Sequence, residues 1–236
     1  MNPIIRLDGL TIRYPEFTLQ PVTLDLFAGQ RIALVGENGA GKSTSMKAMA
    51  GRLHEYEGSV FFDGDLLPDL LPGVRGRIGF LPEKLLGLGW MKVREHLDFL
   101  ENFYPGWDAE YARLLARRLD VPLAAKVGGL SKGTQVKLSL VAAEAFRPPV
   151  LLLDEPTSGI DPFMRREILD LLDEIVPPGG DRLLVFSSHI LEDLERIADR
   201  VLLLKQGRLA GDWPRRELES RFPGQSLSDI IFREVA

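Results

Sequence analysis

Nearly uninterrupted apolar runs alternate along the chain with stretches whose apolar residues recur at helical spacing. "RIALVG", "VLLLDEP", "LLVFSSH" and "RVLLLK" are runs of strand length, and such runs suit strands buried on both faces of a parallel sheet. Between them, Met164, Ile168, Leu171, Leu172 and Ile175 paint one face of a helix, and Leu191, Leu194, Ile197 and Ala198 do the same. The N-terminal part follows another rule. "IIRLDGLTIRYP", "FTLQPVTLDLF" and "SVFFDGDLL" are punctuated by Gly, Pro and Asp turns, which predicts antiparallel strands. From Trp90 to Leu119 the pattern is helical. Val93, Leu97, Leu100 and Tyr104 share one face and Tyr111, Leu114, Leu115 and Leu119 the next, split at "YPGWD". The class is therefore α/β, with a helical insertion.

Composition narrows the function without choosing it. At 236 residues, 45% hydrophobic and 27% charged, the chain can bury a proper core as one globular domain. The longest apolar runs are too short to span a membrane, and "MNPIIRLDGL" lacks the charged-then-apolar layout of a signal peptide. With no cysteine there is no thiolate site, and the three histidines are scattered rather than clustered. A formal charge of −5 argues against a large nucleic-acid footprint.

"GENGAGKST", Gly36 to Thr44, changes the picture. It fits G-x-x-x-x-G-K-[ST] and stands between a strand and a helix start, where a phosphate loop must stand. Glycines 36, 39 and 41 let successive backbone N–H groups turn toward a phosphate, and the helix N-terminus adds its positive end. Lys42 then reaches the β- and γ-phosphates and the Ser43 hydroxyl ligates Mg²⁺. Asn38, Ala40 and Thr44 complete the predicted loop. In "VLLLDEP" the adjacent carboxylates divide the work: Asp154 for Mg²⁺, through water, and Glu155 to accept a proton from the attacking water. His189, just past another strand, is placed to donate a hydrogen bond to the γ-phosphate. His54 and His96 read as a loop residue and a helix-stripe neighbour.

The series "GENGAGKST", "LSKGTQ", "VLLLDEPTSGIDP" and "SSH", in this order, resembles the nucleotide-binding subunit of an ABC transporter over nearly the whole chain. The resemblance implies a P-loop NTPase, RecA-like core with an antiparallel β subdomain (together residues 1–83 and 148–236) and an inserted helical subdomain (84–147) carrying the signature motif. It implies ATP and Mg²⁺ as cofactors, Tyr14 stacked on adenine with Phe17 as its rival, and Asp161 in a loop sensing the opposite subunit. It also implies that Ser131 and Gly133 meet the γ-phosphate held by a second nucleotide-binding subunit, identical or not, in a head-to-tail dimer. The other expected partner is a transmembrane permease, received near residues 83–90, which would hold the chain at the inner face of the cell membrane, on the cytoplasmic side. The short C-terminal stretch resembles export-type bacterial subunits.

Two positions depart from the family's usual motifs. Glu83 stands in "FLPEK" where glutamine is usual, and it can face Mg²⁺; Lys132 replaces the first glycine after Ser131. The rival class is a soluble, non-transport ABC ATPase acting on nucleic acid or the ribosome. The chain lacks the long heptads, zinc ligands or second nucleotide-binding unit that such proteins carry.

Overall fold

The computed structural model describes residues 2–67, 71–74, 76–83 and 88–235. Strand β1 (Ile5–Tyr14) turns tightly into β2 (Phe17–Leu26), with Tyr14 paired to Phe17 at the hairpin end. The chain then leaves this sheet for β3 (Arg31–Val35) and α1 (Lys42–Met49) before β4 (Glu57–Phe62) and β5 (Asp65–Leu66) return to it. The resulting sheet is antiparallel in the order β2-β1-β4-β5, as the turn-punctuated pattern predicts.

After a short helix, α2 (Leu71–Val74), comes β6 (Ile78–Leu81). Three helices follow before the next strand: α3 (Val93–Glu101), α4 (Ala109–Arg118) and α5 (Lys132–Glu144). The break between α3 and α4 falls at "YPGWD", and Asp108 caps α4 by accepting from the Tyr111 N–H at 2.8 Å. The rest of the chain alternates β7 (Val150–Leu153), α6 (Pro162–Ile175), β8 (Leu183–Ser187), α7 (Leu191–Ile197), β9 (Arg200–Lys205) and β10 (Arg208–Pro214). Two further helices, α8 (Arg215–Arg221) and α9 (Leu227–Val235), were not signalled by the apolar pattern.

The second sheet runs β10-β9-β3-β8-β7-β6, parallel except for the β10 edge. Its parallel strands are buried on both faces, so alternate residues feed two different cores. Leu151, Leu153, Leu184 and Phe186 join the core under the helices α3 to α7; Leu152, Val185, Ile32 and Leu34 join the core shared with α1 and the antiparallel sheet. Arg31, almost fully buried, ties the foot of β3 to α6 through Asp173 at 2.7 Å and to the residue preceding β9 through Asp199 at 3.1 Å. A buried guanidinium paired in this way fixes β3, from which the phosphate loop springs.

Register brings the chemistry to one edge. Leu81 pairs with Leu153, Leu153 with Phe186, and Leu34 with Ser187. The segments after β3, β6, β7 and β8 therefore emerge side by side, the position at which open α/β sheets bind ligands.

Candidate active site

Gly41 is the N-cap of α1 and holds φ at 107°, a conformation that favours glycine. A methyl group there would also meet the Phe17 ring at 2.9 Å. The loop therefore closes tightly under an aromatic ring, and the first N–H groups of α1 point outward for an anion. Buried Lys42 donates to the carbonyls of Gly36 at 2.7 Å and Glu37 at 3.1 Å.

A cavity of about 700 Å³ opens over this loop, a size that suits a nucleotide. Gly36, Asn38, Gly39, Gly41, Lys42, Ser43 and Thr44 line it, and Glu83, Glu155, Ser158 and His189 close it from the neighbouring strand ends. Most of the residues predicted for the phosphates are thus brought together. Ala40 is buried behind the loop rather than in the cavity wall.

Behind Glu155 lies a clamp that the sequence did not reveal. Ser187 Oγ donates to Asp154 Oδ1 at 2.7 Å and accepts from the Glu155 N–H at 2.9 Å. Glu155 itself has φ of 52°, a left-handed conformation that costs a non-glycine residue on the order of 1–3 kcal/mol. The clamp turns the Glu155 side chain into the cavity while Asp154 stays buried, 1% exposed. Glu155 Oε2 lies 2.7 Å from His189 Nδ1. Asp193 on α7 supports both loops: it accepts from Thr157 Oγ1 at 2.5 Å, Ser188 Oγ at 3.2 Å and Arg165 Nε at 2.5 Å.

Among the described residues no three acidic or histidine side chains converge as a metal cage. Mg²⁺ is commonly held by one or two protein oxygens together with substrate phosphates and water. Ser43 and Glu83 offer such oxygens in the cavity wall, whereas Asp154 is buried and does not line it.

The sequence model of the ABC transporter family matches residues 19–158. The chain belongs to the ABC transporter family. It is 33% identical over 205 residues to the ABC transporter ATP-binding protein YtrB of Bacillus subtilis, covering 86% of this chain and 69% of that protein. It is 32% identical over 220 residues to a Nod factor export ATP-binding protein I of Burkholderia lata, covering 90% and 69%. Among solved structures, an ATP-binding subunit of an ABC transporter superposes with a TM-score of 0.85 at 28% identity over 99% of this chain and all of that one. A dimeric ATP-binding cassette in a post-hydrolysis state with ADP and Pi shares the fold, with a TM-score of 0.78 at 23% identity over 89% of this chain and 98% of that one. This cassette is an ATPase with the predicted P-loop NTPase fold.

Four expected positions lie away from the cassette's cavity. Tyr14 does not line it; Phe17 does, and Tyr14 stacks against Phe17 with centroids 6.5 Å apart while facing the adjoining cleft beside Lys47 and Arg52. Ser131 is exposed and caps its own helix, accepting from the Thr134 N–H at 3.2 Å. Gly133 is buried, and a methyl group there would fall 2.3 Å from Met164 Sδ, so within one chain this glycine serves the packing of α5 on α6. Asp161 caps α6, accepting from the N–H groups of Phe163 and Met164 at 3.0 and 3.1 Å.

Proposed function

We propose that the chain is the ATP-hydrolysing subunit of a transporter, that it binds MgATP between two copies related head to tail, and that hydrolysis drives a separate membrane permease in the direction of export. One observation carries the dimeric reading. The cavity holds the phosphate loop, the base and the histidine, whereas Ser131 stands exposed at the N-terminus of α5 and outside it. A helix N-terminus capped by an exposed serine suits a phosphate; in this arrangement the phosphate belongs to the other copy. The residues act in sequence. Lys42 leaves its loop carbonyls for the phosphates, Ser43, Glu83 and Asp154 would hold the cation, which would neutralise phosphate charge when bound, and Glu155 takes the proton of the attacking water.

The helices α3 to α5 lie between β6 and β7, which supports residues 84–147 as the unit that passes movement to the permease, with 1–83 and 148–236 as the nucleotide-binding part. An apolar cleft of about 520 Å³ between α3 and the core, walled by Phe80, Phe99, Leu100 and Phe103, supports docking there. Of the stretch 83–90 expected to receive the partner, Leu88 and Trp90 are exposed, and 84–87 lie outside the described residues. No helix among the described residues is long and apolar enough to cross a membrane. The permease would place the chain on the inner membrane face. The export direction is supported by the name of the Nod factor relative.

ATP hydrolysis measured against protein concentration tests the composite site. The rate should rise more steeply than first order; simple proportionality in a proven monomer refutes the dimeric site. Co-purification with a multi-span membrane protein supports the transport role, whereas recovery of only ribosomes or nucleic acid favours a soluble role.

A further inference from the structure

Asp193, in the first turn of α7, carries a carboxylate although it is almost fully buried. Burying such a group is costly unless it is paired and hydrogen-bonded, and here both oxygens are used. Oδ2 accepts from Thr157 Oγ1 and Ser188 Oγ, and Oδ1 accepts from Arg165 Nε. The three donors come from separate segments, each beside a residue of the candidate site. Thr157 lies inside the turn that the Ser158 N–H closes on the Glu155 carbonyl at 3.2 Å. Ser188 Oγ also accepts from the Ile190 N–H at 3.0 Å, which makes a short turn with His189 at its centre. Arg165 stands one turn along α6 from Asp161, whose carbonyl accepts its N–H at 3.0 Å.

On the roles proposed above for Glu155 and His189, we propose that Asp193 is a positioning residue for hydrolysis, gripping the two turns that carry this pair and tying both to the start of α6 through Arg165. Two links then join the ends of β7 and β8. Ser187 to Asp154 is the first, and Thr157 through Asp193 to Ser188 is the second. Glu155 lies between them with its φ of 52°, a conformation that persists only where the surroundings over-determine it. Loss of the second link lets Glu155 relax and frees the His189 turn, and a misplacement of about 1 Å costs up to about 10²-fold in rate. Lys42 is held by the carbonyls of its own loop, so the loss falls on hydrolysis and spares the binding of phosphate.

Hydrolysis at saturating ATP, measured beside ATP affinity, tests this role. Asp193→Asn should lower the rate about ten- to hundredfold and change the affinity less than about twofold. Thr157→Val removes only the hydroxyl on the Glu155 side and should give the same split with a smaller loss; Thr157→Ser keeps that hydroxyl and should stay within about twofold of wild type. In a His189→Ala background Asp193→Asn should cost less than half as much in logarithmic terms, because the two act through one pair. Equal losses in both backgrounds, a loss of affinity at an unchanged rate, or no loss at all would each overturn the proposal. Should Asp193→Asn fail to fold, the two Thr157 variants decide: equal rates for valine and serine overturn it. Wild-type hydrolysis by Glu155→Gln would overturn the assignment of Glu155 on which the proposal rests.

Discussion

Nδ1 of His189 lies 2.7 Å from Oε2 of Glu155, and both side chains line the wall of the phosphate cavity. If Nδ1–H donates to the carboxylate, a neutral imidazole has only an acceptor left at Nε2. Donation to a γ-phosphate then requires either an imidazolium or release of Glu155. The two residues therefore act as a unit. Glu155→Gln should lower hydrolysis about 10²- to 10⁴-fold, the usual size of a general-base contribution, with ATP affinity kept and an ATP-bound dimer retained on gel filtration. His189→Ala should lower the rate in wild type yet add almost nothing in the Glu155→Gln background. Independent, multiplying losses would separate their roles.

Phe17 and Tyr14 are the two aromatic candidates for stacking on an adenine. Because Phe17 lines the cavity and Tyr14 stands behind it, Phe17→Ala should weaken nucleotide binding more than Tyr14→Ala. An aromatic platform under a base is worth about 1–3 kcal/mol. Titration with a fluorescent ATP analogue ranks the two, and a larger loss from Tyr14→Ala would return the role to the residue named from the sequence.

Replacing Gly133 by alanine sets two effects against each other. Helix propensity favours alanine by about 1 kcal/mol, whereas overpacking against Met164 costs about 1–3 kcal/mol. A net loss of urea resistance is expected, and Met164→Ala in the same chain should restore part of it. Stabilisation by Gly133→Ala alone would show that α6 yields freely.

His96 is 5% exposed, and among the described residues its Nδ1 has no hydrogen-bond partner. Burial lowers its pKa below the ordinary value of 6.5. As pH falls past 6.5 the unfolded chain takes up the proton first, so stability falls, by up to about 1.4 kcal/mol per pH unit until the folded state protonates too. Chemical denaturation from pH 7.5 to 5 should show this slope in wild type and lose it in His96→Gln.

Much of the cassette was legible because its chemistry is local. The Gly36–Thr44 loop announces itself through backbone needs that few residue types satisfy, and the apolar runs mark β3, β7, β8 and β9 directly. What escaped depends on register and on packing between distant segments. Ser187 looked like a residue of the "SSH" series; only its pairing opposite Leu34 and beside Asp154 makes it the clamp under Glu155. Gly133 reads as an anion contact in "LSKGTQ", and nothing in that stretch shows that Met164 also presses on it. The hairpin end that pairs Tyr14 with Phe17 gives two aromatics nearly equal claims, and the cavity each lines is set only by the folded arrangement.

The division of the parallel sheet into two cores has a spectroscopic consequence. Trp107 and Trp213 both pack against the core on the helical side, while Trp90 is exposed. With three tryptophans in all, the core shared by α1 and the antiparallel sheet contains none. Native tryptophan emission is therefore a one-sided reporter, sensitive to rearrangement of the helices and nearly blind to the layer that carries the phosphate loop.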